Sequence, residues 1–307
     1  MTRIKPIELC ALSLSIFLLC SSAAVAEPTR SPQPQQAYTN QEILQQLVKA
    51  RVVYLGETHD RIEDHQAQLV IIREMQRQNP KIAIALEMFQ RPFQSVLDQY
   101  LAGKLTEEEL IEQTEYNQRW RFPWEYYAPI VRFAALNKLP LLALNTPTEV
   151  TRKVATQGLE SLTPDEKKHI PPLSEIRTDN VAYRKMLLEI YQQHQKAEQG
   201  NSKAFERFLQ AQILWDETMA EKIAEFVQAN PDYQVVVLAG RGHLVYGYGI
   251  PSRVERRLGI GSVKARSVLF NLPTETSFSP LSPDKPIADY IWKHKVANND
   301  KSDRLEF

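Results

Sequence analysis

The strongest constraint on this chain is a set of short, wholly apolar runs, each ending at a glycine or polar residue, with helix-length stretches between them. RVVYLG at 51–56, KIAIALE at 81–87, LPLLAL at 139–144 and YQVVVLA at 233–239 are four such runs, and residues 263–270 form a weaker fifth. A strand without polar alternation must be buried on both faces, as it is in a parallel sheet covered by helices. Helices are predicted at 40–47, 62–78, 93–102, 106–114, 124–137, 179–198 and 202–229, and the proline-bearing stretch 158–177 reads as a loop or flap. The fold class is therefore α/β, a mainly parallel sheet flanked by helices, with the helical insertions forming a cap.

The first 26 residues stand apart. Arg3 and Lys5 precede an apolar run at 9–19, and Ala24, Val25 and Ala26 place small residues at −3 and −1. That is the pattern of a secretory signal peptide cut before Glu27, and the apolar run is too short to span a bilayer. Lipid attachment at Cys20 is the weaker expectation, because the large Leu19 precedes it where a small residue belongs. The expected organisation is a leader at 1–26, a polar Pro/Gln linker at 27–40, one α/β domain with its cap at 41–275, and a tail at 276–307. The product is expected to be exported, periplasmic or secreted, with no transmembrane span in the mature chain.

Cleavage removes Cys10 and Cys20, the two cysteines of the sequence. The remainder then has no disulfide, no thiolate metal ligand, no cysteine nucleophile and no covalent c-type haem attachment. Lys plus Arg and Asp plus Glu each number 37, a balance that offers no basic surface for nucleic acid.

Ligands of open parallel sheets bind beyond the carboxyl ends of the strands. In this chain those ends deliver Glu57 and His59, Glu87, Asn145, and Arg241 with His243. The spacing Gly-x-x-His occurs twice, at Gly56/His59 and Gly240/His243, where glycine would allow a tight turn that aims the imidazole over the sheet edge. Neutral imidazoles with Glu57 and Glu87 would suit a divalent metal such as Zn, Mn or Co. Equally, one imidazole could serve as general base while Arg241 holds an anion.

On the helix expected at 202–229, Gln212 and Asp216 fall in the middle of the apolar stripe, whereas Glu217 falls away from it. A carboxylate so placed is either half of a buried pair or a residue reaching a pocket. His65 shares the inner stripe of its helix and reads as a packed, hydrogen-bonded histidine. Trp120, Trp124, Tyr126 and Tyr127 form an aromatic cluster, either cap core or a wall for a flat apolar ligand. Tyr246 and Tyr248 are placed near the pocket mouth. The sequence carries no serine nucleophile elbow, Walker loop, dinucleotide fingerprint or His-Glu-x-x-His.

Four ordered motifs, LGETHD at 55–60, ALEM at 85–88, LWDETMA at 214–220 and AGRGH at 239–243, resemble the ChaN-like family of haem-binding uptake proteins. That family shares a superfamily with Tiki-type metalloproteases and erythromycin esterases. The resemblance spans about residues 51–272. It implies an exported or lipid-anchored α/β protein that takes haem, or another small molecule, within one chain or across a homodimer interface. It maps the paired Gly-x-x-His motifs and their acidic partners onto His59, His243, Glu57 and Glu87. The axial ligand would be a tyrosine or histidine, with Tyr246, Tyr248, Tyr126 and His243 as candidates. The alternative the superfamily implies is a hydrolase of an ester or amide.

Overall fold

The computed structural model describes residues 38–194, 202–271 and 285–294. The leader with its cleavage site, the linker to residue 37 and the expected helix end at 195–198 lie outside the described residues. A short helix α1 (Asn40–Leu47) opens the fold, capped by Thr39. The Thr39 hydroxyl accepts from the Glu42 amide while Glu42 reaches back, a reciprocal capping box.

Among the described residues six strands follow: β1 (Val52–Glu57), β2 (Ile82–Gln90), β3 (Leu141–Asn145), β4 (Gln234–Gly240), β5 (Ala265–Phe270) and β6 (Tyr290–Trp292). They form one sheet in the order β3-β2-β4-β1-β5-β6, and every pairing is parallel. Every residue of β1, β2 and β4 is buried, as the missing alternation requires. β6 lies in the segment expected to be a tail; at three residues it is too short to show a strand pattern, and it pairs with Val268 to Phe270.

Period-2 geometry sends Val53 and Leu55 to one face of the sheet and Val52 and Tyr54 to the other. The first face packs on α1, α2 (Ile62–Gln78) and α6 (Trp124–Asn137), burying Ile43, Ile71, Ile72 and Tyr127. Burying side chains of this size contributes roughly 1.5–3 kcal/mol each. Ile62, at the start of α2, is 44% exposed; the buried face includes Asp64, His65, Gln68, Ile71, Ile72 and Met75. Between β2 and α6 run α3 (Gln94–Leu101), α4 (Glu107–Gln113) and the single turn α5 (Tyr116–Arg119), the last not anticipated.

The second face is covered by α9 (Lys203–Ala229) and α10 (Ile250–Leu258) through Met219, Ile223 and Val254. At 1.5 Å per residue α9 is about 40 Å long, more than a strand of this sheet. Its carboxyl half therefore covers the sheet, and its amino half stands beyond the strand ends, where Phe205, Leu209 and Leu214 join α7 (Thr148–Gln157) and α8 (Val181–His194) in a separate cluster. That cluster is the cap. The stretch 158–177 joins α7 to α8 with three short 3-10 turns and no longer helix.

Candidate functional site

β1 and β4 are neighbours in a register that sets Glu57 opposite Gly240, and β2 flanks β4 on its other side with Leu86 opposite Leu238. The carboxyl ends that carry Glu57, Gly240 and Glu87 thus lie side by side, at strand spacings of about 4.8 Å.

Glu57 is buried and fully engaged. Its Oε1 accepts from His59 Nδ1 at 2.9 Å and from the Tyr127 hydroxyl at 2.5 Å, and its Oε2 accepts from Gln68 Nε2 at 2.7 Å. Burial first, and then the Glu57 carboxylate, push the Tyr127 phenol far above its ordinary range, so it acts only as a donor. The loop after β1 is clamped by α2: the Thr58 amide donates to Asp64 Oδ2 at 2.8 Å, and His65 Nε2 lies 3.1 Å from the His59 carbonyl. His59 comes out with Nδ1 held, and among the described residues Nε2 has no hydrogen-bond partner. Burial opposes charge on this ring, but the Glu57 hydrogen bond and the nearby Glu87 outweigh it and raise its pKa.

His243 closes the 3-10 turn that follows β4. Its Nδ1 is 2.7 Å from Asp216 Oδ1 and its Nε2 is 3.4 Å from Glu87 Oε1. Burial disfavours the imidazolium, yet Glu87 and Asp216 overcome it and lift the pKa to about 10. Glu87 in turn would be raised by burial, but the His243 charge, a weaker His59 contribution and the Gly240 amide (2.6 Å) bring it down to about 2. His243 is therefore a fixed cation between two carboxylates. Asp216 also accepts from the Tyr183 hydroxyl at 2.6 Å.

A cavity of about 410 Å³ opens over these strand ends. Its polar floor includes Glu57, Thr58, His59, Gln212, Arg241 and His243, and its apolar wall is Phe122, Leu187, Ile190 and Phe208. Trp120 and Phe122 pack on the His59 ring, with centroids 4.8 and 5.0 Å away. The half-buried Arg241 donates to the Thr58 hydroxyl.

The structure therefore brings His59, His243, Glu57, Glu87 and Arg241 together, with Asp216 and Glu87 standing behind the cavity wall. Asn145 points elsewhere: its Nδ2 donates to the Glu87 carbonyl at 3.0 Å, tying β3 to β2. Trp124 donates to Glu107 at 2.7 Å within the α4–α6 junction. Tyr126 stacks on His65 at 5.3 Å. Tyr246 and Tyr248 pack together at 5.5 Å in the cap cluster and are not among the cavity's lining residues. Phe122, Leu187 and Ile190 escaped sequence reasoning because an apolar residue carries no chemical mark of a cavity wall. The bonds of Tyr127 and Gln68 to Glu57 escaped it because they are tertiary contacts.

The divalent-metal expectation for His59, His243, Glu57 and Glu87 meets an obstacle in this geometry. Among the described residues no group of three or more His, Cys, Asp or Glu side chains is placed to hold a metal ion. The donors are spent on one another: each Nδ1 is engaged by a carboxylate, and His243 Nε2 faces Glu87.

Fold and site define a class, an α/β protein with a parallel sheet, a helical cap and a His–carboxylate pocket at the strand ends. Within that class the chain belongs to the family of haem-binding uptake proteins of the Tiki superfamily, ChaN, whose pattern matches residues 43–254. Its fold is like that in the structure of cofacial haem binding to ChaN of Campylobacter jejuni, with a TM-score of 0.63 at 20% identity, covering 83% of this chain and 91% of that one. A looser likeness, TM-score 0.45 at 18% identity over 75% of this chain and 72% of the other, is to an erythromycin esterase mutant in its open conformation. In sequence the chain is 27% identical over 264 residues to the chloroplastic protein RETICULATA-RELATED 5 of Arabidopsis thaliana. That match covers 81% of this chain and 35% of the plant protein, so the chain spans about a third of that relative's length. Among the described residues no helix is long and apolar enough to cross a membrane.

Proposed function

We propose that this protein captures haem in the strand-end cavity, with His59 as the axial ligand, as an exported member of its uptake family. The observation that carries the reading is His59 itself, an imidazole on the cavity wall whose Nδ1 is held by a buried carboxylate and whose Nε2 has no hydrogen-bond partner among the described residues. Metal-binding histidines characteristically use the second nitrogen in this way, which fixes the ring and raises its basicity. The cavity's chemistry fits the group: an apolar wall for the macrocycle and Arg241 for a propionate. Bound haem would supply an iron centre; the chain's part is to orient the imidazole and exclude water with Phe122 and Phe208. His243 does not suit the ligand role, because both its nitrogens face carboxylates.

The test is titration of purified protein with haem, followed in the Soret band. A saturable shift in wild type that is lost in His59→Ala supports the assignment. A shift untouched by His59→Ala rejects it, and His59→Tyr then asks whether a phenolate can substitute. The stoichiometry at saturation reads out whether haem is shared across a homodimer. Because protons compete with iron for the imidazole, and the His59 pKa is raised, haem affinity should increase with pH. Export is read from the amino terminus of the mature protein, expected at Glu27.

One observation favours a second reading. Two carboxylate-gripped imidazoles at one pocket suit acid–base chemistry on an ester or amide, with His59 activating water and His243 or Arg241 stabilising the oxyanion. Turnover of an activated ester that disappears in His59→Ala, without haem binding, would select this reading.

A further inference from the structure

Asp64 occupies the first turn of α2, is buried, and uses its two carboxylate oxygens in different directions. Oδ2 accepts from the Thr58 amide at 2.8 Å, in the loop that presents His59. Oδ1 accepts from His294 Nε2 at 2.7 Å, just beyond β6. The His294 ring lies parallel to Phe270 at the end of β5, at 6° and 6.0 Å, and its amide donates to Asn271 Oδ1 at 3.0 Å. Thr58 in turn receives the Arg241 guanidinium on its hydroxyl. One short edge strand, far from the site in sequence, is thus connected through a single carboxylate to the loop carrying His59 and to the cation beside it.

We propose that His294, acting through Asp64, is a positioning residue for His59 and Arg241, so that docking of β6 onto β5 sets the geometry of the cavity floor. The proposal rests on the reading of His59 as the group that meets the ligand. Its physical basis is that the loop after β1 must hold the imidazole over Gly240. The Thr58 amide is held there by Asp64, and without His294 that carboxylate would keep only one of these two donors. Partners that orient a ligand in this way typically matter about 10–100-fold to affinity or activity.

Three full-length proteins test it: wild type, His294→Leu, which keeps bulk against Phe270 but has no donor, and His294→Gln, whose amide can donate to Asp64. Histidine ¹⁵N spectra without haem read the His59 ring directly, a signal that a purely structural role would leave alone. One sharp set of His59 signals is expected in wild type and His294→Gln. A broadened or split set is expected in His294→Leu, with haem affinity down about tenfold. Should His294→Leu fail to fold, Asn271→Gly, which frees the His294 backbone and suits the positive φ at that position, is expected to split the same signals. An unchanged His59 spectrum in a folded His294→Leu or Asn271→Gly protein overturns the proposal. If His59 splits in His294→Leu while none of the proteins binds haem, the brace stands and the haem assignment falls.

Discussion

The imidazole of His59 occupies the space that a side chain on Gly240 would need. A Cβ at Gly240 would meet Cε1 and Nε2 of His59 at 2.8 Å. The glycine of the second Gly-x-x-His motif thus lies beneath the histidine of the first, and the two motifs are halves of one packing arrangement. Gly240→Ala should push the His59 ring off the sheet edge. Overpacking of this kind typically costs about 1–3 kcal/mol. We expect haem affinity, or turnover, to fall at least as far as in His59→Gln, together with a modest drop in melting temperature. Normal function in Gly240→Ala would mean that the ring can move without consequence.

The motif was legible in the sequence, but its reason was not. Glycine at these positions was expected to permit a tight turn. Gly240 has φ −55°, which any residue adopts, and a Cβ on Gly56 would press on the Leu269 side chain of the neighbouring strand. Close approach between strand ends depends on strand order, which no local pattern reveals. The parallel sheet itself was readable because unalternating apolar runs have few alternatives. β6 and α5 were not, since three or four residues carry no period.

Glu217 shows the same limit on a helix. The stripe on α9 was expected to exclude it, yet Glu217 is fully buried, because α9 is covered by α10 as well as by the sheet and α7. Its carboxylate binds Arg256 at 2.6 Å and Arg257 at 2.9 Å, with Arg253 at 3.3 Å. Breaking such a buried cluster typically costs about 3–5 kcal/mol. Glu217→Ala should therefore lower the urea midpoint strongly while leaving haem affinity unchanged in the protein that remains folded. The adjacent Asp216 points a helical step away, onto His243.

The pH dependence of stability follows from the pair His243 and Glu87. His243 has its pKa raised from 6.5 to about 10, so its contribution is complete below 6.5 and is lost as pH rises through about 10. Glu87 has its pKa lowered from 4.5 to about 2, so its contribution is complete above 4.5 and is lost as pH falls through about 2. Unfolding midpoints should decline steadily on the alkaline side of neutrality in wild type. In His243→Gln that decline should be much shallower, and an equal slope in both proteins would show that His243 is neutral when folded.

The two histidines should fail in different ways. His243 stands between Asp216 and Glu87, so His243→Ala leaves two buried carboxylates without their cation, a loss on the order of 3–5 kcal/mol. His59 is partly exposed at the cavity, so His59→Ala removes an imidazole while Glu57 keeps its bonds to Tyr127 and Gln68. We expect His59→Ala to abolish haem binding or turnover with a melting temperature near wild type, and His243→Ala to lower the melting temperature first. Asp216→Asn should resemble His243→Ala, because it acts on the same ring. In the double mutant the stability loss should track His243→Ala and the functional loss His59→Ala, a separation that thermal melts and haem titrations on the four proteins measure directly. Equal stability losses from the two single substitutions would contradict this division and make both imidazoles part of one structural unit.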